Sequence, residues 1–134
     1  MLKSDFERLV QTRIREARLL LAGGEFDGCY YLTGYAVEAA LKACIAKATR
    51  RFEFPDKDRA NRVFTHDLGR LLQEARLAAA TQVETVVLRE KWAVVLGWTV
   101  DARYAAGTPH DVAAALLTAA AGRGGVIPWP TGRW

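Results

Sequence analysis

"YYLTGYAVEAALKACI", residues 30–45, decides the fold class. Only two of its side chains are charged, Glu38 and Lys42, and the remainder is apolar or small nearly all round. A helix hydrophobic on every side is one surrounded by neighbours. Strand alternation is absent here and along the rest of the chain. The stretch therefore predicts a central helix, from about Asp27 to Ala48, inside an all-α bundle.

Working outward, Phe6, Leu9, Val10, Ile14, Ala17, Leu20 and Leu21 recur at helical spacing before Gly23 and Gly24. They predict a first helix with Ser4 as N-cap and Glu7 closing a capping box. A long polar connection with Pro55 in its middle follows the central helix. Thr65 is then the expected cap of a short third helix, "HDLGRLLQEARL", with Asp67 in its first turn. Thr81 and Glu84 form a further capping box, opening a long helix that runs to Tyr104. Thr108 and Pro109 start the last helix, with proline at its first position, and Gly122 ends it. The tail from about residue 122 is too rich in Gly and Pro for a regular element, though Trp129 can pack on the bundle. The expected architecture is an antiparallel, up-and-down bundle of four to five helices in a single domain over residues 1–134.

Composition narrows the function classes. At 134 residues the chain can bury a real core without staples. Cys29 and Cys44 fall on one helix, about 22 Å apart at 1.5 Å per residue, so they cannot bridge. A reduced, cytoplasmic protein is the expectation, with no secretory leader and no membrane span. The net charge of +4 permits nucleic acid without demanding it. A thiolate zinc site needs more Cys and His at short spacing. No Gly-rich turn runs into Lys and Ser or Thr, so there is no phosphate loop. The His-Asp dipeptide occurs twice, at His66 and at His110, but no His precedes the first and no acid follows Asp111. That order does not fit a metal-dependent phosphohydrolase. No nucleophile elbow is present for a serine hydrolase. No metal or cofactor is expected.

Tyr31, Tyr35, Glu38 and Lys42 share one helix face at spacings of four, three and four. One reading is a surface strip carrying an ion pair. The other is a polar groove lined by two phenols, a carboxylate and an ammonium. Gly28 and Gly34 would let another helix come close.

Three segments in order carry a resemblance: "ARLLLAGGEFDGCYYLTGYAVEAALKACI" at 17–45, "THDLGRLL" at 65–72 and "DARY" at 101–104, ahead of a final helix. Together they resemble a HEPN domain, the helical nucleotide-binding fold of higher eukaryotes and prokaryotes. The resemblance implies an antiparallel bundle, commonly a homodimer. It also implies one of two roles: a metal-independent endoribonuclease of a toxin–antitoxin system, or a non-catalytic module that binds a nucleotide or a partner nucleotidyltransferase. The family's nucleases pair an Arg with a His four to six residues later. Arg103 and His110 stand at that place, with six residues between them. A guanidinium fork suits a scissile phosphate, and an imidazole can take the proton of an attacking 2′-hydroxyl. On this reading Arg103 and His110 are catalytic. Tyr31, Tyr35, Glu38, Lys42, His66 and Tyr104 are binding candidates. Arg59 and His66 repeat the spacing in the polar connection, away from the family's position. A structural, dimerising bundle is the third reading.

Overall fold

The structure, a computed structural model, describes residues 3–48, 64–79 and 86–127. These residues form α1 (Lys3–Ala22), α2 (Phe26–Ala48), α3 (Leu68–Ala79), α4 (Val86–Val95), a 3-10 helix (Val100–Tyr104) and α5 (His110–Ala121). The fold is an all-α bundle.

The central placement of the apolar helix holds. α2 packs against α1, α3, α5 and the 3-10 helix. Its buried set includes Cys29, Thr33, Ala36, Val37, Ala39, Ala40, Leu41, Ala43, Cys44 and Ile45. Thr33 is no exception to an apolar interior. Its hydroxyl donates to the Cys29 carbonyl at 2.7 Å, back along the same helix. α1 offers Val10, Ile14 and Ala17 to this face, and α5 offers Ala113, Leu116, Leu117 and Ala120. Neither cysteine forms a disulfide, and both are buried. Gly24, with φ of 81°, turns the chain between α1 and α2, a conformation glycine adopts at no steric cost.

Four expected boundaries move. Ser4 lies inside α1, which already includes Lys3, so it does not cap the helix among the described residues. The Lys3–Glu7 ion pair at 3.2 Å extends the helix through the would-be cap. Asp67, not Thr65, caps α3: its Oδ1 accepts the Arg70 N–H at 3.2 Å, while Thr65 Oγ1 accepts the Asp67 N–H one step earlier. The helix expected to reach Tyr104 stops at Val95. Trp98 is the physical reason. A Cβ built on Gly34 would fall 1.9 Å from its ring, so the indole lies directly against the α2 backbone and draws the chain inward. The chain then resumes as the short 3-10 helix. Pro109 is the N-cap of α5 rather than its first residue, which is His110.

Part of the tail is built into the fold. Val126 and Ile127 are buried, and their N–H groups donate to the Ala119 and Ala120 carbonyls at the end of α5. Pro55, Arg59, Thr81, Glu84 and Trp129 lie outside the described residues.

Candidate functional site

Glu38 organises the site. It is buried on α2, at 6% exposure, which decides against a plain surface strip. A buried carboxylate requires partners. One oxygen, Oε1, lies 2.6 Å from Nδ1 of His66. The other, Oε2, lies 3.6 Å from the Lys42 ammonium one turn on. His66 reaches it from the turn ahead of α3, which the Asp67 cap and the Thr65 hydroxyl fix.

An aromatic group continues the arrangement. Tyr35 meets Tyr31, His66 and Trp98, each edge to face, at centroid distances of 5.0, 5.7 and 5.5 Å. Such T-shaped contacts orient rings as well as bury them. Burial pushes the Tyr35 phenol up to about 12, with a hydrogen bond to Tyr31 and the charge of Glu38 acting in the same direction. Tyr35 is therefore a neutral hydroxyl at any physiological pH. The positive charge of Arg103 pulls the other way. It comes from the 3-10 helix packed on α2, so that guanidinium belongs to the neighbourhood of Tyr35.

Two cavities flank the Glu38/His66 contact. One, of about 230 Å³, lies between α1 and α2 and is lined by Phe6, Leu9, Arg13, Tyr35, Ala39 and Lys42, with Glu38 in its wall. The other, of about 470 Å³, is lined by Thr65, His66, Leu68, Leu96, Trp98 and Val100, among others. The volume of the second falls within the range of small-molecule sites.

The Arg103 and His110 side chains each make contacts of their own. The Arg103 guanidinium lies over the exposed Tyr104 ring, 4.8 Å from its centroid. The His110 ring stands edge-on to Phe26 at 5.2 Å, and its Nδ1 lies 3.0 Å from Asp111 Oδ1. Phe26 is the first residue of α2. No hydrogen bond or ring contact joins the Arg103 and His110 side chains. Both are exposed.

Asp27 is the residue that sequence reasoning missed. Its carboxylate accepts the Gly107 N–H at 3.2 Å and the Thr108 N–H at 2.8 Å, clamping the turn between the 3-10 helix and α5. Hydrogen bonds from Thr108, the side chain first and then the backbone, hold the Asp27 carboxyl below its usual range. Asp27 was visible as an acid at a helix start. Its partners lie 80 residues away in sequence, so nothing local announced the clamp.

Among the described residues no group of three or more His, Cys, Asp or Glu could hold a metal ion. Nor is any described helix long and apolar enough to cross a membrane. Comparison with family models, with curated proteins and with solved structures found no match for the chain.

Proposed function

We infer that the chain is a HEPN-like binding module, and that the face of α2 from Tyr31 to Lys42, with His66, takes a nucleotide. The observation that carries this reading is the buried Glu38 bonded to His66 between two cavities. Phenols and an apolar wall suit a base or ribose. Arg13 and Lys42, on the rim of the smaller cavity, suit a phosphate. Where a nucleotidyltransferase is the partner, the same face would receive its nucleotide. Calorimetric titration with adenosine monophosphate tests the reading. Saturable binding that His66→Ala and Lys42→Ala weaken supports it. Absence of binding at millimolar nucleotide rejects it.

A second reading has its own observation. The turn that Asp27 clamps leaves Arg103 and His110 both in solvent, one on each side. In a homodimer two such pairs could face one cleft. Arg103 would then hold the scissile phosphate of an RNA, and His110 would act as base and afterwards as acid. Incubation with total RNA in EDTA, beside a His110→Ala control, separates the readings. Cleavage that disappears with His110 favours the ribonuclease.

A further inference from the structure

The polar groups of the 470 Å³ cavity are mostly acceptors. His66 and Asp67, neighbours in sequence, both line it. Nδ1 of His66 lies 2.6 Å from Glu38 Oε1. A carboxylate only accepts, so in the neutral ring the proton sits on Nδ1 and Nε2 carries the lone pair. Asp67 caps α3 through Oδ1, which accepts the Arg70 N–H at 3.2 Å. Its other oxygen, Oδ2, takes no part in the cap. The His66 side chain is half exposed, and Asp67 is exposed. Two acceptors thus stand side by side on one wall. No lysine or arginine is among the described lining residues, so this cavity has no charge to offer a phosphate.

Trp98, in the same wall, supplies the opposite polarity. Its side chain is buried, and its indole N–H has no hydrogen-bond partner among the described residues. A buried donor left unpaired costs stability, and a ligand acceptor would relieve it. A Cβ on Gly34 would fall 1.9, 2.1 and 2.2 Å from the Cε2, Cδ2 and Nε1 atoms of the indole. One face of the ring therefore lies on α2. The N–H lies in the ring plane, so it runs along α2 rather than into it. Leu96 and Val100 add apolar surface of the kind that covers a flat ring. The Thr99 hydroxyl, also in the wall, can donate or accept.

We propose that this cavity takes the base of the nucleotide and selects a purine with an amino group at position 6, with Asp67 and His66 as the specificity-determining residues. The proposal rests on the binding reading for the nucleotide itself. An amino group carries two N–H donors, one for Asp67 Oδ2 and one for His66 Nε2. In adenine the ring nitrogens flanking that amino group are acceptors, and one of them meets the Trp98 N–H. A carbonyl at position 6, as in hypoxanthine or guanine, turns an acceptor toward two acceptors and is rejected. The phosphate belongs on the other side of the Glu38–His66 contact, where Arg13 and Lys42 line the smaller cavity.

The test titrates the full chain by calorimetry with adenosine, purine riboside and inosine monophosphates. At position 6 these carry an amino group, a hydrogen and a carbonyl oxygen. Affinity should fall in that order, by about tenfold or more from first to last, the scale on which well-placed hydrogen bonds discriminate bases. Asp67→Asn keeps the cap of α3, since Asn caps a helix as well as Asp does. Its amide can donate to a carbonyl, so the variant should bind adenosine monophosphate more weakly and inosine monophosphate more tightly. Equal affinities for the three nucleotides overturn the proposal and leave the binding reading standing. A wild-type preference that Asp67→Asn leaves unchanged overturns it as well. Absence of binding by all three at millimolar concentration overturns the binding reading, and this proposal with it.

Discussion

His66 Nδ1 lies 2.6 Å from Glu38 Oε1, across 28 residues of sequence. The contact ties the turn before α3 to the buried middle of α2. It is therefore a stabilising contact as well as a candidate for function. Glu38→Ala removes the shared partner of His66 and Lys42. The expected loss is about 1.5–3 kcal/mol in urea unfolding, since hydrogen bonds to a charged group carry that scale. Glu38→Gln should lose less, because it keeps an acceptor. An unchanged midpoint for Glu38→Ala would mean that the contact contributes nothing.

Gly34 is a packing requirement. A Cβ there would overlap the Trp98 ring at 1.9 Å, far inside any real contact. Gly34→Ala must displace the indole, and overpacking of this kind costs about 1–3 kcal/mol or more. Trp98 is buried, so its displacement should red-shift the tryptophan emission. Wild-type stability and emission in that variant would contradict the packing described.

Asp27 governs the turn between Arg103 and His110. Asp27→Ala should leave the bundle folded but speed hydrogen exchange at the Gly107 and Thr108 amides, whose acceptor is lost. The acid response has a definite sign. A carboxyl held below its usual value of 3.8 stabilises the clamp above that pH, and the contribution disappears as pH falls through the lower folded value. Amide protection at 107 and 108 should therefore drop in that acid window in the wild type and not in the variant.

Tyr35 gives a window at the alkaline end. Its phenol is pushed up from 10.0 to about 12, so the folded chain retains a proton that the unfolded chain loses. That contribution is complete below pH 10.0 and is lost as pH rises through about 12. Ultraviolet titration should show a phenol ionising near pH 12 that is absent in Tyr35→Phe. A normal titration of all the tyrosines would contradict the environment assigned to it.

The fold was legible where periodicity was strong. Residues 30–45 announced the central helix because burial on all sides leaves a pattern in a single stretch. The end of α4 was not legible, because the break depends on Trp98 finding Gly34, more than 60 residues earlier. The face of Tyr31, Tyr35, Glu38 and Lys42 could be read from helical spacing. Its burial could not, since that depends on α1 and on the turn bearing His66. Spacing suggested that Arg103 works with His110. The Asp27 clamp and the Phe26 ring that hold the turn and His110 could not be read from that spacing.

The central claim is that ligand meets this protein at His66 and not at His110. Long-range proton–nitrogen NMR of the two imidazoles, recorded while adenosine monophosphate is added, tests it most directly. The account predicts a saturable shift at His66 Nε2, while the His110 ring stays in place. A shift confined to His110, with His66 unmoved to saturation, would contradict it.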